Sequence, residues 1–133
     1  MKLDDVPVHV RLKLSALWAS VMFCYVYGDF FGLFKPGKLA SMQAGQTPLG
    51  PTTRTILLAF SIVMAIPSVM VFLSLVLKPS INRQANIILG SAYTVIIVLT
   101  MRGAWGFYLF LGFIEAALTA LVVWYAWNWP RQT

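Results

Sequence analysis

Apolar residues run almost without interruption through four stretches of the chain, residues 14–34, 55–77, 85–101 and 104–127. The runs do not alternate with period two, so they read as helices and not as strands of a barrel. At 1.5 Å per residue, each crosses or nearly crosses a hydrocarbon layer of about 30 Å. The third is short and is expected to borrow a turn from the preceding "INRQ". The segments between them carry turn chemistry. "KPGKLASMQAGQTPLGPTTR" is the long loop, "KPSINR" stops the second helix at Pro79, and "MRGAW" is tight enough to force an antiparallel hairpin. At the N-terminus, "DDVPVHVRLK" reads as an interfacial lead-in, with Asp5 as a candidate helix cap and Pro7 in the first turn. The pattern predicts an all-α fold: one integral membrane domain, 1–133, folded as an antiparallel four-helix bundle.

Helical spacing sorts the small and polar residues of each span onto one stripe. In the last span the stripe is Tyr108, Gly112, Glu115 and Thr119; in the third it is Asn86, Gly90, Thr94 and Ile97. The second span offers Ser61, Ala65, Ser68 and Phe72, with Pro67 freeing a backbone carbonyl nearby. The first span offers Tyr25, Asp29 and Gly32. Packed together, the stripes predict a narrow, partly polar interior. Small residues also let membrane helices approach closely. Gly28 with Gly32, and Gly112 with Ala116 and Ala120, are the expected packing surfaces, within the chain or between chains.

Composition agrees with lipid as the solvent. The chain is 59% hydrophobic and only 11% charged, against about 25% charged in a typical soluble domain. The first run exceeds the apolar core of a cleavable signal, so it is expected to be a retained helix. The net charge of +6 does not point to nucleic acid, because the basic residues sit singly or in pairs at the ends of the runs. Lys2, Arg11, Lys13, Lys78, Arg83 and Arg131 fall on the side of the termini; Lys35, Lys38, Arg54 and Arg102 fall on the other. This six-to-four excess places both termini in the cytoplasm. Trp124, Trp127 and Trp129 at one end, and Trp105 and Tyr108 at the other, read as interfacial belts.

Candidate chemistry is sparse. His9 and Cys24 are each the only residue of their type, so no intrachain disulfide, Cys/His metal site or bis-histidine haem is possible within one chain. No phosphate-binding loop is present, no catalytic residue is assigned, and no cofactor or metal is expected. What remains is two carboxylates inside the spans. Glu115 lies near the middle of the fourth, where an ionisable side chain costs on the order of 3 kcal/mol or more. It must face the interior, stay protonated or accept a hydrogen bond, with Tyr25 and Tyr93 as candidate donors. Asp29 lies nearer the outer end of the first span and has two readings. It bridges to Arg102 in the third turn, or Asp29, Arg102 and Lys35 form an outer mouth for an anionic or zwitterionic group.

The segments "LSALWASVMFCYVYGDFFGLFKPGKL", "TPLGP" and "AIPSVMVFLSLVL" resemble a family of small bacterial four-helix membrane proteins of unknown function. "GLFKPGKL" is more weakly similar to the end of the first helix of DoxX-like membrane proteins. The resemblance implies a multi-pass protein of the bacterial inner membrane and carries no reaction with it. Three functions follow from the residues. The first is a proton-linked small-solute transporter or channel working as a homo-oligomer, with Glu115, Asp29, Tyr108, Thr119 and Tyr25 at the proton or solute site. The second is a membrane binding protein for an apolar ligand, or an isomerase-like bundle. The third is a non-catalytic subunit of a membrane complex. An enzyme ranks last, because two separated carboxylates are a poor catalytic set.

Overall fold

The computed structural model of the chain describes residues 2–131. Four long helices, α1 (Val10–Gly32), α3 (Arg54–Val76), α4 (Pro79–Thr100) and α5 (Gly106–Trp127), are each long and apolar enough to span a membrane. The long loop holds a short helix, α2 (Lys38–Gln43), and a two-residue hairpin pairing β1 (Gln46–Thr47) with β2 (Gly50–Pro51). The fold is all-α, and its four long helices alternate in direction. α4 starts at Pro79, six residues before the apolar run at 85, because Pro79 at the first helical turn needs no hydrogen-bond partner for its nitrogen. α1 likewise starts at Val10. Its cap is His9, whose Nδ1 accepts from the Arg11 amide at 3.1 Å, so Asp5 and Pro7 lie ahead of the helix and not in it.

α1 packs against α3 on one side and α5 on the other, and α5 packs in turn against α4. α3 and α4 close the ring only loosely. The half of the bundle nearer the termini is well filled. Val10, Leu14 and Trp18 of α1 meet Met70 of α3, Tyr93 of α4 and Val122 and Ala126 of α5, all buried. Gly90 is where α4 and α5 come closest. A methyl group there would lie 2.9 Å from a Val123 methyl and 3.3 Å from the Thr119 carbonyl oxygen.

Among the described residues, the buried side-chain polar atoms of this half are hydrogen-bonded, with Arg11 Nε the exception. Trp18 Nε1 donates to Asn86 Oδ1 at 2.7 Å, and Asn86 Nδ2 donates to Asn82 Oδ1 at 2.7 Å. Asn82 Nδ2 reaches the Ser74 carbonyl at 2.8 Å, and the Ser74 hydroxyl returns to Asn86 Oδ1 at 3.4 Å. The network ties α1, α3 and α4 in a region where no lipid or water could satisfy those groups. Two arginines finish the helix ends at the terminal face. Arg11 donates to the Leu77 carbonyl, and Arg83 donates to those of Ala126 and Trp127. Each places a cation at the negative end of a helix dipole.

The second-span stripe faces outward. Ser61, Ala65, Ser68 and Phe72 are all exposed on α3, and Ser61 and Ser68 return their hydroxyls to their own helix. The inward face is instead Met64, Pro67, Val71 and Ser74. α3 is so apolar all round that small-residue spacing alone misjudged its rotation.

Candidate functional site

The half of the bundle away from the termini holds an open cavity of about 140 Å³. Tyr25 and Asp29 come to it from α1, Tyr93 from α4, and Tyr108 and Glu115 from α5. Val63 and Met64 of α3 and Ile96 and Ile97 of α4 supply its apolar wall. Glu115 is the tenth of 22 residues in α5, about 14 Å from the N-terminal end of the helix at 1.5 Å per residue. It is 7% exposed, and among the described residues nothing hydrogen-bonds its carboxyl group. The expected tyrosine donors face the same cavity, but neither donates to it.

Tyr93 has another partner. Pro67 has no amide hydrogen, so the carbonyl of Val63, four residues earlier, loses its helical bond. Tyr93 Oη donates to that carbonyl at 2.6 Å. This bond spans the loosely packed α3–α4 side, and Tyr93 also stands edge-on to Trp18, with ring centroids 6.0 Å apart. Tyr93→Phe should therefore loosen α3 from α4 and cost on the order of 1 kcal/mol. In a Pro67→Ala background the restored amide can bond Val63 itself, and the same change should cost less. Detergent unfolding of the four chains in this cycle measures the difference.

Toward the termini the packing is closer: Thr94 and Thr119 hydroxyls hydrogen-bond at 2.7 Å between α4 and α5, and the fully buried Trp18 stands against Tyr93. Toward the loop side lies a second, larger cavity of about 360 Å³ that shares Asp29, Thr100 and Tyr108 as walls. Its other polar residues are Lys35, Lys38 and Arg102. Two turns bring them there. In "KPGK", Pro36 and Gly37 (φ 80°, ψ −10°) make a type II turn closed by the Lys38 amide on the Lys35 carbonyl at 3.1 Å. In "MRGA", Gly103 (φ 66°) reverses the chain beside Arg102. Lys35 Nζ sits 5.1 Å from the Trp105 ring centroid.

The expected site residues are thus partly brought together. Glu115, Asp29, Tyr25 and Tyr108 share one cavity, and Thr119 lies beneath it, toward the termini. Tyr108 is a cavity wall and not a member of a lipid-facing belt. Asp29 and Arg102 line the same mouth, and among the described residues no salt bridge joins them directly. Gly28 packs on Leu111, and Gly112 on Met101. Gly32 has open space beside it, Ala116 is half-buried and Ala120 faces outward. Sequence reasoning missed Lys38 at the mouth, which the i to i+3 spacing of "KPGK" could have shown. It also missed Trp18, Asn82 and Ser74, for which an apolar run gives no signal.

Four helices of membrane-spanning length and apolarity, packed around a partly polar interior, are those of a multi-pass α-helical membrane protein. Over residues 1–133 the chain matches, and belongs to, the Family of unknown function (DUF6326). No curated protein matches it. No solved structure matches it.

Proposed function

We propose that the protein is a proton-linked carrier or channel for a small solute, with Glu115 as the group that takes up and releases the proton. One observation carries this reading: a buried carboxyl group in the middle of a span, without a hydrogen-bond partner among the described residues, in a cavity that adjoins a cationic mouth on the loop side and close packing of Thr94, Thr119 and Trp18 on the side of the termini. A structural acid would be matched, as Asn82 and Asn86 are. An alternating-access carrier needs one side open while the other is shut. The weak α3–α4 contact, bridged by Tyr93, is the seam at which the arrangement could change. The six-to-four charge excess supports cytoplasmic termini, with the mouth facing outward. The resemblance noted above supports the bacterial inner membrane; the weaker likeness to DoxX-like proteins adds no chemistry.

The working unit in this reading is a homodimer, the commonest symmetric state. Its contact would use the small-residue face of α5 left open in one chain, Ala120 with the half-buried Ala116. A monomer mass in lipid discs would remove that part of the proposal. The test of function is pH-dependent solute and proton flux in liposomes, comparing the parent chain with Glu115→Gln. A binding protein without transport is the second reading, favoured by the apolar wall of Val63, Met64, Ile96 and Ile97. Such a protein would bind solute and show no flux in either chain.

A further inference from the structure

The two cavities are sorted by charge. The inner one holds two carboxylates, three tyrosines and no basic residue. The outer one adds Lys35, Lys38 and Arg102. Among the described residues, none of these three cations has a carboxylate within salt-bridge distance, and none donates a side-chain hydrogen bond. Asp29 stands on the wall common to both chambers. Glu115 is the independent sign of a ligand at the inner end, being more than nine-tenths buried, unmatched and directed into the cavity.

Simple ions fit this arrangement poorly. A free cation approaching from the mouth meets three positive groups first. A free anion that passes them meets two carboxylates. A molecule carrying both charges meets its complement at each level. Its ammonium group would lie between Asp29 and Glu115, against tyrosine faces that favour cations. Its acidic group would stay behind, within reach of Lys38 and Arg102. Guanidinium and ammonium donors suit a carboxylate or a phosphate equally.

The geometry points to a small zwitterion, with an amine at one end and a carboxylate or phosphate at the other, as the ligand of this two-chamber site. This inference rests on the Glu115 cavity being the solute site, and names its substrate class. The adjoining chambers suit a short spacer between the two charges. The molecule could be a free amino-acid-like solute or the ethanolamine phosphate headgroup of a lipid, and the chemistry is the same for both.

The experiment is calorimetric binding to the full chain in lipid discs, using 4-aminobutyrate, butylamine and butyrate as probes. 4-Aminobutyrate should bind at least about tenfold tighter than either singly charged probe, the factor expected when one matched charge contributes about 1.4 kcal/mol. Arg102→Gln should bring it down toward butylamine while leaving butylamine unchanged. Lys38→Gln, in the loop outside the bundle, should act in the same direction without any effect on helix packing. Asp29→Asn should weaken 4-aminobutyrate and butylamine together. Discs of phosphatidylethanolamine in place of phosphatidylglycerol separate the two sources. Weakened 4-aminobutyrate binding there identifies the lipid headgroup as occupant, and unchanged binding identifies a free solute. Equal affinity for all three probes, or no effect of Arg102→Gln and Lys38→Gln, would overturn the inference. Loss of flux in Glu115→Gln alongside equal probe affinities would leave the transport reading standing and remove this one. Selective binding of 4-aminobutyrate by a parent chain without flux would do the reverse.

Discussion

Trp18→Ala is expected to destabilise the bundle by about 3 kcal/mol, near the lower end of the range for removing a buried aromatic side chain. Trp18 is fully buried where α1 meets the other three long helices. Its removal leaves a cavity that close-packed neighbours cannot fill, and it takes away the donor to Asn86 Oδ1. The value sits low because lipid tails are as apolar as the core, so the loss is of packing and not of hydrophobic transfer. Trp18→Phe separates the two contributions. It keeps most of the volume and loses only the indole N–H, so it should cost about 1 kcal/mol, a typical net value for one hydrogen bond in this setting. Reversible unfolding in mixed micelles reads both. Equal losses for the two substitutions would mean that the hydrogen bond, and not the packing, holds the site.

Glu115→Gln is expected to abolish pH-dependent flux while leaving the fold in place. Glutamine has nearly the same shape as glutamic acid and fills the same volume beside Tyr25 and Tyr108. It cannot release or take up a proton at any pH of interest. Since nothing among the described residues hydrogen-bonds the carboxyl, the substitution removes no hydrogen bond seen there, and unfolding should shift by less than about 1 kcal/mol, as for substitutions that disturb no matched group. Flux should fall to the level of protein-free liposomes and lose its dependence on the pH gradient. A variant that carries solute and protons like the parent would reduce Glu115 to a buried acid without a role in coupling.

The sequence by itself determined that the chain lives in a membrane, how many times it crosses and where it turns. Those properties depend on length, composition and local turn chemistry, each of which acts within a few residues. The stripe rule also worked where a helix has a polar side to turn inward. Glu115 and Thr119 on α5, and Asn86 and Gly90 on α4, are buried as their spacing required. It failed on α3. A helix that is apolar all round has no sequence-level preference for a face, so Ser61 and Ser68 look out and Pro67 looks in. Only tertiary structure could decide that rotation. Distance along the chain likewise hides the contacts that matter most. Trp18 and Asn86 are 68 residues apart, and Tyr93 is 30 residues from the Val63 carbonyl it secures. The Pro67 signal was readable as a freed carbonyl, but its partner was not, because the donor comes from another helix. The same holds for the mouth. "KPGK" and "MRGA" fix two turns locally, and only the packing of α1 against α5 brings Lys35, Lys38 and Arg102 around one opening above Asp29.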